Sequence, residues 1–306
     1  HIDAGDLPGA IDTEHPVLAG PMDSATPALV GLKNRLVGLS WGFDLLKMHD
    51  RGEDLSWLAQ LDAVIVDSTA TREIALRSGL DSGSVHTIPW GVDVRLFTDD
   101  GPVADRSRWG IPSSAITLVS LRAHEPLYRV ADIIAAFALL RESVPEAYLI
   151  VGNDGSLRKD LASQVDTLGI ADSVTFIGPL PESELPPLLR ACDLYVTASE
   201  VDGSSVTLLQ AMSCGLPVVA SDTPGNRGWV QEGDTGQLFT TGSPSDLARV
   251  LAKSVEGINS TDALRMTINA RDRVLTQADW WRNSKALADI MAPGQRGSSK
   301  KVEASS

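Results

Sequence analysis

Apolar residues fall along the chain in two alternating rhythms. Short, nearly continuous runs rich in β-formers occur at 35–40 (RLVGLS), 62–68 (DAVIVDS), 116–121 (ITLVSL), 147–152 (AYLIVG), 193–199 (DLYVTAS) and 216–221 (LPVVAS). Each is bounded by turn residues, the pattern of a strand buried on both faces. Between them, apolar positions recur at helical spacing over 69–79, 130–140, 156–169, 205–212, 243–255, 260–275 and 278–291. The segment 15–32 predicts a strand and a short helix, and 55–61 (LSWLAQL) an amphipathic helix. The segment 173–181 predicts a strand and turn, and 181–193 a helix with a capping signal at Glu182–Ser183. Strand–helix alternation of this kind predicts an α/β protein with parallel sheets. Residues 98–113 are polar with Gly and Pro and read as a linker between two such units.

The stretch Ala191–Asp222 carries the most chemistry. It reads as strand, loop, helix, strand, with Gly215 placed to end the helix. Gly203, Ser204 and Ser205 stand where the first N–H groups of the helix are unpaired, a position suited to a phosphate. Gly203 lets a ligand approach the backbone closely. Asp202 lies just before the helix and Gln210 two turns inside it, roughly 12 Å apart along a helix axis. That distance suits an extended nucleotide diphosphate with a group attached. The plainer alternative is a loop with an ordinary helix cap.

The same stretch, DGSSVTLLQAMSCGLPVVASDTPGN, resembles the signature of glycosyltransferase family 4, in which two glutamates are separated by seven residues. Asp202 and Gln210 stand at those two positions. The phrase Ile88-Pro89-Trp90-Gly91-Val92-Asp93 is similar to the family's segment before the interdomain linker, where it closes the first domain and carries no chemistry. The resemblance implies the GT-B fold, two Rossmann-like parallel-sheet domains. It divides the chain into a partial acceptor-side domain at 1–100 and a nucleotide-sugar domain at 101–275. A C-terminal helix at 276–292 would cross back to the first domain, and 293–306 read as a disordered tail. About half of the first domain is expected to be missing before His1.

The implied activity is transfer of a sugar from a nucleotide-diphosphate sugar to a glycan, lipid or small-molecule acceptor, with retention of configuration and without a metal or cofactor. Arg122 and Asp202 would be catalytic. Arg129, Gly203, Ser204, Ser205, Gln210, Asn153 and Gly178 would bind the donor, and Gly225 and Asn226 can line the same pocket. Trp41 stands where the family has a histidine, and with Asp44 it would face the acceptor; Asp44 could equally cap a helix. The Asp202/Gln210 variant leaves a second reading open, a catalytically impaired nucleotide-binding accessory protein. Another GT-B activity, such as an epimerase or phosphorylase, fits the phrase around Gln210 less well.

Composition narrows the rest. The chain has 306 residues and a net charge of −14, so it lacks the basic face that nucleic acid requires. No apolar run is long enough to span a membrane, and HIDAGDLPG at the start is not a signal peptide. Cys192 and Cys214 form no metal or redox motif and read as core thiols. His15 and His49 carry no pattern that assigns them chemistry. No G-x-G-x-x-G follows a strand, which argues against a dinucleotide oxidoreductase. A cytoplasmic enzyme is expected.

Overall fold

The computed structural model describes residues 15–292; the expectations for the first residues and for the tail at 293–306 lie outside them. Two parallel sheets organise these residues. The first has strands β1 (Val17–Ala19), β2 (Leu36–Leu39), β3 (Ala63–Val66) and β4 (Val85–Thr87), hydrogen-bonded in chain order. Helices α1 (Phe43–Asp50) and α2 (Thr69–Arg77) follow β2 and β3. Leu45 and Met48 of α1 and Ile74 and Ala75 of α2 bury one face of this sheet with Val64 and Val66. Ser68 caps α2 in a reciprocal pair with Thr71, which satisfies two free backbone donors.

The second sheet has strands β5 (Ile116–Ser120), β6 (Ala147–Gly152), β7 (Val174–Gly178), β8 (Leu194–Thr197), β9 (Val218–Ser221) and β10 (Gln237–Phe239). Their order is β10-β9-β8-β5-β6-β7, all parallel. The interior strands carry apolar residues on both faces because both faces are covered. One layer contains α3 (Val130–Arg141), α4 (Arg158–Thr167) and α8 (Pro244–Glu256), through Ile133, Phe137, Leu161 and Leu251. The other contains α5 (Leu185–Ala191), α6 (Val206–Ser213) and α9 (Thr261–Gln277), through Leu188, Leu208, Met212 and Val274. Cys192 and Cys214 are both free and buried in this second layer, and burial raises both thiol pKa values.

Some elements differ from the sequence expectation. LSWLAQL forms a 3-10 turn over Ser56–Gln60, shorter than a helix, with Trp57 and Leu58 buried. Glu182–Glu184 is also a 3-10 turn, and α5 begins after it with no side-chain cap, so Glu182 and Ser183 do not cap it. Pro224–Arg227 is a one-turn helix, α7, capped by Thr223, in a stretch to which no helical pattern was assigned. Strand β10 lies in a stretch whose alternation is too short to read.

The last helix, α10 (Trp280–Met291), starts at the cap Asp279. It packs Leu287, Ile290 and Met291 against Val37, Ala63 and Ile65 of the first sheet. Trp280 and Trp281 remain 40% and 49% exposed. The chain is strapped there by Val92 N–H to the Ala278 carbonyl at 2.8 Å and Trp280 N–H to the Val92 carbonyl at 3.0 Å.

Candidate active site

Strand order in the second sheet reverses between β5 and β8, and both neighbours leave that point in opposite directions. A crevice at the carboxyl ends of such strands is where open α/β sheets bind ligands. Arg122 follows β5 and Asp202 follows β8, and the two meet there as an ion pair at 2.8 Å. Both side chains are nearly buried. Arg122 Nη1 also donates to Ser205 Oγ at 2.7 Å, and its guanidinium lies 4.2 Å from the centre of the Tyr128 ring. Ser205 is the N-cap residue of α6, yet its hydroxyl serves Arg122 and makes no cap hydrogen bond. Burial raises the pKa of Asp202, opposed first by the Arg122 charge and then by hydrogen bonds from Ser199 and Ser205.

Gln210 lies within α6, buried, with Oε1 unpaired. Asn226 of α7 donates to the Ser221 carbonyl and hydroxyl at 2.9 and 3.1 Å, and its Oδ1 is likewise unpaired. Neither Gly225 nor Asn226 has positive φ, so flexibility is not what the α7 turn needs from them. Gly225 is there for space: a β-carbon would overlap the Asp202 carbonyl. Each of these buried amide oxygens without a partner is costly unless a ligand satisfies it.

The remaining expected residues are more dispersed. Arg129 has left-handed φ (48°) at the start of α3 and pairs with Asp132 at 2.7 Å and Glu200 at 3.7 Å. The aromatic partner of Arg122 is therefore Tyr128, and the charge of Arg129 is committed to carboxylates. Asn153 and Gly178 end β6 and β7 and are tied to each other by Asn153 N–H to the Gly178 carbonyl at 2.7 Å. Trp41 is 44% exposed and packs edge-to-face with Trp90 at 5.5 Å. Asp44 is not an open cleft residue. Its carboxylate is buried and accepts from Ser40 Oγ at 2.5 Å, Met22 N–H at 2.9 Å and Trp41 N–H at 3.1 Å. Asp44 thus fixes the β2–α1 turn, the helix-start alternative.

Two polar groups escaped the sequence reading. His124 is fully buried, its Nε2 3.1 Å from the Gly152 carbonyl and its Nδ1 unpaired; burial lowers its pKa. Asp67 ends β3 and is buried against the Gly203 loop. A polar residue at the carboxyl end of an apolar strand was the available signal for it. Among the described residues, no group of three or more His, Cys, Asp or Glu is arranged to hold a metal ion, and no helix is long and apolar enough to cross a membrane. Cavities of about 420 and 650 Å³ lie at the amino ends of β8 and β9, against α9, and include neither Arg122 nor Asp202.

The family described as glycosyl transferases group 1 matches residues 104–273, the whole second sheet. The chain belongs to this family. D-inositol 3-phosphate glycosyltransferase of Stackebrandtia nassauensis is 32% identical over 218 residues, 68% of this chain and 48% of the relative. N-acetyl-alpha-D-glucosaminyl L-malate synthase of Bacillus anthracis is 29% identical over 54% of this chain and 42% of its own. The chain spans about half the length of the curated relatives it matches. Among solved structures, HepE of Anabaena in complex with UDP and glucose superposes with a TM-score of 0.74 at 21% identity, over 88% of this chain and 75% of that one. Sucrose-phosphate synthase from Thermosynechococcus elongatus gives 0.71 at 21% identity, over 85% and 68%. The arrangement of two parallel sheets is thus the GT-B fold, with four described strands in the first sheet and six in the second.

Proposed function

We propose that this glycosyltransferase-family protein transfers a sugar from a nucleotide-diphosphate sugar to an acceptor, retaining the configuration at the anomeric carbon. The observation that carries the reading is the Arg122–Asp202–Ser205 cluster at the β5/β8 switch point, beside the amino end of α6. Cleavage of the bond between the anomeric carbon and the diphosphate leaves negative charge on the departing oxygens. Arg122 and the free N–H groups of α6 offset that charge, so the assignment needs no cofactor. A donor that takes over Arg122 frees Asp202 to accept hydrogen bonds from sugar hydroxyls. The unpaired Oε1 of Gln210 accepts from a ribose hydroxyl. The exposed Trp41 faces the acceptor, a glycan, lipid or small molecule. Residues 1–100 then form the acceptor side and 101–275 the donor side, with 276–292 joining them. Two free cysteines suit a reducing compartment, and we assign the protein to the cytoplasm.

The relatives' printed names support the class: two transfer or join sugar units, and HepE was crystallised with UDP and with UDP-glucose. The test is calorimetric titration with UDP, GDP and ADP, wild type beside Arg122→Ala. Micromolar binding of one nucleotide, lost in the variant, is expected and names the base. That nucleotide's sugars then serve as donors in a transfer and donor-hydrolysis assay. A folded protein that binds none of the three and neither transfers nor hydrolyses sugar contradicts the proposal.

A further inference from the structure

Asp67 is 2% exposed, yet its Oδ2 has no hydrogen-bond partner. Oδ1 accepts from Thr71 Oγ1 at 3.1 Å, and Oδ2 is turned the other way, onto the loop before α6. A β-carbon at Gly203 would overlap this carboxylate. One at Gly42 would come 2.5 Å from Oδ2 and 2.7 Å from the Gly203 Cα. The contact is reinforced by Ser204 Oγ donating to the Asp67 carbonyl at 3.3 Å and by Trp229 Nε1 donating to Ser204 Oγ at 3.3 Å.

Three helices of at least eight residues begin within a few residues of this contact. Gly42 is the N-cap of α1, Ser68 next to Asp67 is the N-cap of α2, and Gly203 lies two residues before Ser205, the N-cap of α6. The start of α6 has no side-chain cap, so it presents unpaired N–H groups and the positive end of its dipole, whereas donors at the starts of α1 and α2 are taken by Ser40, Asp44, Ser68 and Thr71. An anion is what an uncapped helix start such as that of α6 accepts. The anion in this structure is a side chain of the protein, reaching from the first sheet into the donor loop of the second.

The geometry points to an anion site shared by both sheets, in which Asp67 is an internal placeholder for the donor's diphosphate. This rests on the donor reading above and deepens it. When the donor enters, its phosphate oxygens take the place at the α6 start, and the Asp67 carboxylate must withdraw or be protonated. Two anions in that confined space repel. Burial, opposed by the Thr71 and Ser68 hydrogen bonds, lifts the Asp67 pKa to about 6, with a further upward push from Asp44 of α1. The other charges on the packed elements do not neutralise it. Asp202, next to Gly203, is paired with Arg122, and Arg72 of α2 is turned to the Val85 carbonyl. Proton uptake by Asp67 therefore favours donor binding, and removal of its charge does the same wherever the wild-type carboxylate is ionised.

The experiment compares wild type with Asp67→Asn, which keeps the shape, and with Asp67→Ala. UDP-glucose, GDP-glucose and ADP-glucose are titrated between about pH 5 and pH 8, where their diphosphate diesters keep their charge. The expected result is wild-type affinity that rises about tenfold as pH falls, and Asp67→Asn binding about tenfold tighter than wild type at the upper pH with a flat profile. Equal affinities and parallel profiles overturn the placeholder while leaving the donor reading intact. If no sugar nucleotide binds any of the proteins, the donor reading fails. Amide hydrogen exchange without nucleotide then decides the shared site. Faster exchange over 203–207 in Asp67→Ala, with Asp67→Asn between it and wild type, supports it; unchanged exchange overturns it.

Discussion

Arg122 holds a full charge where water has little access, and Asp202 is what lets it stay. With both side chains nearly buried, removal of one leaves the other without compensation. Arg122→Ala is expected to destabilise the protein by about 3–5 kcal/mol, and Arg122→Ala with Asp202→Asn by clearly less than the sum of the single changes. Urea unfolding of the four proteins measures this; strictly additive losses would show that the pair is not coupled. Asp67 gives a second residue-scale outcome, through pH. Its pKa is raised from 3.8 to about 6, so between those values the folded protein keeps a proton that the unfolded chain releases. Its contribution to stability is therefore present at low pH and lost as pH rises through that window, by roughly 3 kcal/mol at most. The stability of Asp67→Asn relative to wild type should grow by up to that amount from about pH 4 to pH 7 and then level off. Superimposable pH–stability curves would mean that Asp67 is not held in its raised state.

At the scale of elements, most of the second sheet was legible because each strand is buried on both faces and each helix on one. DLYVTAS and LPVVAS became β8 and β9, and Gly215, with φ of 70°, ends α6 where the sequence placed it. Short pieces were not legible. Three residues of β10 are too few for a period, and LSWLAQL carries a helical apolar pattern but closes as a 3-10 turn. Caps were legible only where the hydroxyl had no better partner. Ser243, at the start of the helical pattern over 243–255, accepts from Asp246 N–H, whereas the Ser205 hydroxyl goes to a charged donor 83 positions earlier in the chain. Sequence spacing contains nothing about such distant partners. It could place Arg122, Asp202 and Gln210 near one pocket, but not Asp67, whose role depends on the other sheet. The cap assignments can be checked directly. Ser243→Ala is expected to cost about 1 kcal/mol, and Ser183→Ala, at a helix start without a side-chain cap, close to nothing. Equal losses in thermal or urea unfolding would contradict the assignment at α5.

At the scale of the molecule, the two sheets depend on each other through segments far apart in sequence. Among the described residues, the first sheet has its own helices on one face, the side of Val64 and Val66. Its other face, Val37, Ala63 and Ile65, is covered by α10, which follows the whole second sheet in the chain. Asn283 Nδ2 donates to the Pro89 carbonyl at 2.9 Å and Arg35 Nε to the Ile290 carbonyl at 3.3 Å, so α10 is pinned at both ends. Removing Leu287 or Ile290 therefore attacks a sheet that neither residue belongs to. Because both are only partly buried, each change to Ala should cost less than a core truncation, about 1–2 kcal/mol. The double variant should uncouple the sheets. Its thermal unfolding is expected to split, with the first sheet melting before the second, while the second keeps its midpoint. Differential scanning calorimetry, with near-ultraviolet dichroism reporting Trp41 and Trp90 of the first sheet, separates the two. A single transition displaced as a whole would instead mean that the remaining links, the Gly42–Asp67–Gly203 contact and the Val92 strap among them, are enough to make the two sheets unfold as one, and that the apolar face of α10 merely adds stability to them.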